Sequence, residues 1–248
     1  MADAVVELAG VRKRFDRDEV LRGVSFALFR GTTLAIMGGS GEGKTVLLRL
    51  VAGLIKPDAG EIRLFGINIV PLREEPMLPL RRRMGFVFQG AALFDSLSVF
   101  ENVAYPLREH TSWDEDEIAA RVERFLGLVG LSGAEHLLPQ ELSGGMKKRA
   151  GIARALVTEP EVVLFDEPTA GLDPTSARII AELIAQLRRG VCDTAIVVTH
   201  DIEFAGLVAD RMAILHNGQF IATGSPDEIH QSANPTVQAF LAGELRAS

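Results

Sequence analysis

Along residues 5–29 short alternating or apolar runs are broken by charged turns, which predicts a small antiparallel sheet. Thr33-Leu34-Ala35-Ile36-Met37 then reads as a buried strand, and Val46-Leu47-Leu48-Arg49-Leu50-Val51-Ala52 reads as a helix. Residues 61–65 and 85–88 are two further strands. After Gln89 the period changes to that of helices: Ile118, Val122, Phe125, Leu126 and Val129 recur behind Ser112-Trp113-Asp114-Glu115, which has capping-box spacing. Residues 162–165 and 195–198 return to continuous apolar strands, as in a parallel sheet covered on both faces. Strands separated by helices through the second half predict a crossover α/β core. A helical stretch, residues 89–159, is inserted between its two halves. No internal repeat or low-complexity linker breaks the pattern.

Composition narrows this picture. The chain has 248 residues, 47% of them hydrophobic, enough for one large α/β domain or a core with a subdomain. Its net charge of −7 gives no general attraction to nucleic acid or to an anionic bilayer, so no nucleic-acid partner is expected. Met1-Ala2-Asp3-Ala4 has neither a basic nor an apolar leader region, and no apolar run approaches the ~18 residues a spanning helix needs. The chain reads as soluble and cytoplasmic by itself. Cys192 is single, which excludes an intrachain disulfide and reads as a small apolar residue near a strand start.

The chemistry concentrates in Gly38-Gly39-Ser40-Gly41-Glu42-Gly43-Lys44-Thr45, which fits G-x-x-x-x-G-K-[ST] between a strand and a helix. In such a loop successive N–H groups point at phosphate oxygens, Lys44 reaches the β- and γ-phosphates, and the Thr45 hydroxyl holds Mg²⁺. A nucleoside triphosphate is the implied ligand. Glu42 places a carboxylate inside this loop. Because the loop works through its backbone, that side chain is expected to point to solvent. Asp166-Glu167 closes the apolar strand 162–165; one acid there can hold a hydrated Mg²⁺ and its neighbour can orient or deprotonate water. Without the phosphate loop, the same pair also reads as a solvated turn. Leu142-Ser143-Gly144-Gly145-Met146-Lys147-Lys148-Arg149 opens a helix with a glycine-rich turn, either a second anion site or a plain helix capped by Ser143.

The order phosphate loop, Gln89, Leu142-Ser143-Gly144-Gly145, Asp166-Glu167-Pro168, Gly171-Leu172-Asp173-Pro174 and His200-Asp201 resembles ATP-binding-cassette ATPases over essentially the whole chain. The resemblance implies a P-loop NTPase: a RecA-like core with an antiparallel β subdomain (residues 1–88 plus 160–232), an inserted helical subdomain (89–159) and a short C-terminal extension (233–248). It implies ATP and Mg²⁺ as cofactors. Two copies would pair head to tail, with ATP between Gly38–Thr45 and Val46 of one and Ser143, Gly144 and Gly145 of the other. Asp166 would hold Mg²⁺ through water, with Thr45 and Gln89 as further ligands. Glu167 would be the general base, Gln89 a sensor of the attacking water, His200 a γ-phosphate contact and Asp173 part of the loop crossing the dimer interface. Taken singly, Gln89 and His200 also read as ordinary surface residues. Phe15 matches the family's adenine platform, or else is an edge-strand core residue. Val46 replaces a second hydroxyl, and Met146 stands where many cassettes carry Gln.

Leu-Ser-Gly-Gly-Met followed by basic residues, Ala92-Leu93-Phe94-Asp95 and Asn102-Val103-Ala104-Tyr105-Pro106-Leu107-Arg108-Glu109-His110-Thr111 are similar to ATPase subunits of Mce-associated phospholipid transporters. Residues 99–110 also read simply as a helix kinked at Pro106. The resemblance implies a motor on the cytoplasmic face of the inner membrane, held there by a permease subunit. An Mce-domain periplasmic subunit and a small STAS-domain protein would complete the complex, which would move glycerophospholipids and maintain outer-membrane lipid asymmetry. Residues 234–241 would dock on such a partner or pack on the chain's own surface. A soluble scaffold ATPase of the iron–sulfur assembly kind and a regulatory cassette that moves no substrate are the alternatives.

Overall fold

In the computed structural model, which describes residues 4–244, the strands in chain order are β1 (Ala4–Phe15), β2 (Asp18–Phe29), β3 (Thr33–Met37), β4 (Ala59–Leu64), β5 (Ile67–Asn68), β6 (Met84–Val87), β7 (Val162–Asp166), β8 (Ala195–Thr199), β9 (Arg211–His216) and β10 (Gln219–Gly224). The α-helices are α1 (Lys44–Val51), α2 (Glu74–Arg81), α3 (Val99–His110), α4 (Glu115–Leu128), α5 (Gly144–Leu156), α6 (Pro174–Leu187), α7 (Ile202–Val208), α8 (Pro226–His230) and α9 (Pro235–Leu241). Contacts divide the chain into two compact units, Met1–Arg81 with Asp193–Ser248, and Arg82–Cys192. The change from strand to helix at 88/89 and back at 159/160 falls inside the second unit.

The first unit holds two groups of strands. One is the antiparallel set in the order β2-β1-β4-β5, where Val6, Leu8 and Val11 of β1 turn inward. In the other, β3 lies between β8 and β9, parallel to both. The β10 strand runs antiparallel to β9. All five residues of β3 and of β8 are buried, which is why these segments carry no polar alternation. The hairpin β9–β10 turns at Asn217-Gly218, both at positive φ (48° and 73°), as a two-residue turn matched to strand twist requires. Val237 and Phe240 of α9 join Ala35, Met37, Met212 and Ile214 in one apolar cluster. The described part of the C-terminal extension therefore packs on the chain's own core. Residues 1–3 and 245–248 lie outside the described residues.

In the second unit β6 and β7 pair in parallel, from Met84↔Val162 to Val87↔Phe165. Helix α5 packs against β6, α3, α4 and α6. Its approach to β6 is permitted by Gly85, where a Cβ would stand 2.5 Å from the Ala155 carbonyl oxygen. Helix α4 begins two residues later than the Ser112 capping box predicts. Asp114 is the cap, accepting from the Glu117 N–H at 2.9 Å, while the Glu117 carboxylate accepts from the Asp114 N–H at 3.1 Å. The physical reason is that Glu115, which Ser112 would need, is engaged with Arg108 in two hydrogen bonds of 2.7 and 3.0 Å. Helix α3 runs through Pro106 and is itself capped by Ser98 and Glu101. The buried Asn102 staples the preceding loop: its Oδ1 accepts from the Phe94 N–H (2.8 Å) and its Nδ2 faces the carbonyls of Phe94, Leu97 and Ser98 at 3.0–3.1 Å. Cys192 is buried and unbridged. Among the described residues, no helix is long and apolar enough to cross a membrane.

Candidate active site

In the first unit the chain leaves β3 at Met37 and re-enters regular structure at Lys44, so the glycine-rich loop joins a buried strand to a helix. Two glycines are required by contact. A Cβ on Gly38 would meet the Leu215 carbonyl oxygen at 2.5 Å, and one on Gly43, at φ 96°, would meet Val20 Cγ1 at 2.7 Å. The loop backbone is thus pressed between β9 and β2. Lys44 is buried, and its Nζ donates to the carbonyls of Gly38 (2.8 Å) and Gly39 (2.9 Å). The ammonium is held inside the loop by the loop's own backbone, and Gly43 begins α1 without any side-chain cap.

Glu42 departs from its expected solvent orientation. Its Oε1 lies 2.9 Å from His216 Nδ1 and its Oε2 accepts from the Asn217 N–H at 2.6 Å, leaving the side chain only 14% exposed. The reason lies in the β9–β10 turn, whose left-handed Asn217 aims its N–H at the loop and offers the carboxylate a partner better than water. His216 and Asn217 are the residues that motif reading missed. The Asn-Gly pair between two apolar runs was the available signal. His200 is exposed just beyond β8, and Asp201 caps α7 by accepting from the Phe204 N–H. Phe15, at the end of β1, is 45% exposed with Lys13 Nζ 5.2 Å from its ring centre, so it is a surface aromatic and not a core residue.

In the second unit Asp166 and Glu167 are buried at and just beyond the end of β7. Glu167 has φ 45°, and Ala91 and Ala92, which follow Gln89, have φ 60° and 49°. A left-handed conformation costs a non-glycine residue on the order of 1–2 kcal/mol. Helix α5 supplies what holds these three. Arg154 donates to the Ala91 and Ala92 carbonyls at 2.8 and 2.7 Å, and Gly151 leaves room for Ala91, whose Cβ a side chain there would meet at 3.2 Å. Lys148 Nζ donates to the Gln89 carbonyl and, at 3.2 Å, to the Glu167 carbonyl. Burial pushes the Lys148 amine below its ordinary range, against the pull of the Glu167 and Asp166 carboxylates.

Ser143 does cap α5, accepting from the Met146 N–H at 3.3 Å, while Ser143 and Gly144 are exposed. Asp173 caps α6, accepting from the Thr175 and Ser176 N–H groups at 3.0 Å each. The Ser176 hydroxyl, then these backbone groups, hold its carboxyl below the usual carboxylate range. Gln89 is exposed.

The loop fits a polyphosphate: its lysine is already turned inward by backbone carbonyls, and glycine is sterically required beneath it. Each unit by itself carries hard oxygens of the kind Mg²⁺ takes: the Thr45 hydroxyl in the first, the Asp166 carboxylate and the Gln89 amide in the second. Among the described residues no cluster of three or more His, Cys, Asp or Glu forms a self-sufficient metal cage. Such donors suit an ion that keeps water and phosphate oxygens as its other ligands.

Comparison with known proteins gives consistent results. A family model described as "ABC transporter" matches residues 21–170. The chain is 43% identical over 220 residues to the intermembrane phospholipid transport system ATP-binding protein MlaF of Escherichia coli K12, covering 89% of this chain and 82% of that protein. It is 41% identical to TRIGALACTOSYLDIACYLGLYCEROL 3, a chloroplastic protein of Arabidopsis thaliana, over 98% of this chain and 75% of that one. Among solved structures, it is similar to the dimeric post-hydrolysis ATP-binding cassette MJ0796 bound to ADP and Pi, with a TM-score of 0.82, 31% identity, and coverage of 89% of this chain and 98% of that one. Clostridium perfringens cbiO1, part of an ABC transporter complex, matches with a TM-score of 0.84 and 31% identity over 96% of this chain and 95% of that one.

Proposed function

The chain belongs to the ABC transporter ATP-binding family and is an ATPase of that family, and from this premise we propose that it drives a transporter moving glycerophospholipids at an inner membrane, thereby maintaining outer-membrane lipid asymmetry. The observation carrying the lipid reading is 43% identity, over 89% of the chain, to a protein named for intermembrane phospholipid transport. In this proposal two copies pair head to tail on the cytoplasmic face, and residues 89–159 form the helical module. The permease, Mce-domain and STAS-domain subunits are the other partners.

The roles proposed for the residues follow their chemistry. Phe15, half exposed, stacks on adenine. The backbone N–H groups of Gly39–Val46 and the Lys44 ammonium bind phosphate oxygens, with Lys44 exchanging the Gly38 and Gly39 carbonyls for the ligand. Thr45, Gln89 and, through water, Asp166 would hold Mg²⁺, whose charge would offset that of the phosphates. Glu167, buried and set in its orientation by a strained backbone, takes the proton from the attacking water. Gln89 orients that water and His200 donates to the γ-phosphate. Ser143, Gly144 and Gly145 contact the γ-phosphate bound by the second copy, with Asp173 in the loop facing that copy.

The test is affinity purification of the tagged full chain from detergent-solubilised membranes, followed by mass spectrometry of proteins and lipids. Recovery of a permease, an Mce-domain subunit and glycerophospholipid is the expected result. Recovery of the chain alone, or with soluble assembly factors, overturns the transporter reading in favour of a scaffold ATPase. A permease without lipid points to the regulatory cassette.

A further inference from the structure

We propose that Lys148 is a positioning residue for ATP hydrolysis: one buried ammonium ties the backbone carbonyl of Gln89 to that of Glu167, fixing the water-orienting amide and the carboxylate base relative to one another. The inference rests on the roles proposed above for Gln89 and Glu167. An ammonium has three donors and no acceptor, so it can hold two carbonyls at once from two separate segments. The two carbonyls come from the ends of neighbouring parallel strands, one just beyond β6 and the other just beyond β7. Each segment carries a non-glycine residue in the left-handed region, Ala91 and Glu167 itself, and so would relax if released. Lys148 is only 6% exposed, so its two carbonyl contacts are shielded from water.

Helix α5 does not need Lys148 as an anchor. Arg154 grips Ala91 and Ala92, Arg149 donates to the Val129 and Gly130 carbonyls, and Gly85 and Gly151 allow close packing. Removing the ammonium should therefore disturb the two active-site segments more than the helix. Lys148 also lies five residues beyond Ser143, about 7.5 Å along the same helix at 1.5 Å per residue. A contact made by Ser143 and Gly144 with the second copy's nucleotide is thereby coupled, through a rigid rod, to this copy's own Gln89 and Glu167.

The experiment measures steady-state ATPase activity of the full chain, equilibrium binding of a fluorescent ATP analogue, and thermal midpoint for Lys148→Met, Lys148→Arg, Glu167→Gln and the Lys148→Met/Glu167→Gln double variant. Lys148→Met is expected to lower kcat about 10–100-fold, with KM and analogue affinity within about threefold of the parent, the pattern of an interaction used in the transition state. Lys148→Arg, which keeps a cation and several donors, should recover most of the turnover. In the Glu167→Gln background Lys148→Met should add less than about twofold, because both act through one unit. Parent-like kcat in Lys148→Met, beside an inactive Glu167→Gln, overturns this inference alone. So does a Lys148→Arg variant whose thermal midpoint is restored while its turnover is not. A Glu167→Gln variant that turns over like the parent removes the base assignment and this inference with it.

Discussion

Asn102→Ala tests how firmly the surface ahead of α3 is built. The Asn102 side chain is fully buried and makes one acceptor contact and three donor contacts, all to backbone groups of residues 94–98. Its amide has two protons, so the three carbonyl contacts amount to two full bonds, and the total is three. At about 1 kcal/mol net for each, truncation should cost about 3 kcal/mol, with 2–4 kcal/mol as the working range. Asn102→Asp keeps the volume and the acceptor but turns a carboxylate oxygen toward the carbonyls, and should cost at least as much. Urea unfolding of the full chain, read at constant m, gives the loss directly. The same loop presents Phe94, whose ring lies 5.1 Å from that of Tyr105 and under the Arg154 guanidinium. In the transporter proposed above this surface would meet the permease, so co-purification of a permease should fall while ATP binding is unchanged. A loss under 1 kcal/mol for both variants would refute the staple.

Lys44→Ala removes the ammonium held inside the phosphate loop and should weaken ATP binding at least tenfold, consistent with charge-assisted bonds worth about 1.5–3 kcal/mol; unchanged affinity in a calorimetric titration would contradict this role. Glu42→Ala strips the acceptor from the Asn217 N–H and His216, and is expected to lower stability by about 1–2 kcal/mol and raise KM for ATP severalfold. Equal KM and equal urea midpoints would show that the loop does not depend on the β9–β10 turn. Asp173 has a folded-state pKa below its unfolded value, so its contribution is fully present above pH of about 4 and fades as pH falls through the depressed value. The difference in thermal midpoint between the parent and Asp173→Ala should accordingly be constant from pH 7 to 5 and shrink below about pH 4. A difference that grows on acidification would reverse the sign of this argument.

The strand-loop-helix around Lys44 was legible because each part is a local signal: the apolar run over residues 34–37, obligatory glycines and an amphipathic turn. The long strands β1 and β2 were legible as a sheet. The β9–β10 hairpin was not read, although Asn217-Gly218 marks it. Its importance to the loop is non-local, a matter of Glu42 meeting a turn 175 residues away. The Ser112 cap failed because a motif does not reveal that Glu115 has a stronger partner in Arg108. The left-handed backbones of Ala91, Ala92 and Glu167 had no sequence mark at all, since alanine and glutamate do not favour that region and only packing by α5 holds them there. Lys148 looked like one basic residue among several, because burial of a lysine is set by tertiary structure.

The placement of β3 has a consequence for synthesis. Both of its ladder partners, β8 and β9, follow it by more than 150 residues, as do α7 and α9, whose side chains share its apolar cluster. The segment Arg82–Cys192, by contrast, is continuous and emerges in one piece. At about 5–20 residues per second, roughly 10–35 s pass between the emergence of Met37 and that of Ile214. Until β8 emerges the glycine loop hangs from an unpaired strand, and until β9 emerges from one paired on a single edge. A ribosome-bound chain halted before β9 would lack the Leu215 carbonyl against which Gly38 rests, so the loop acquires that wall only late in synthesis.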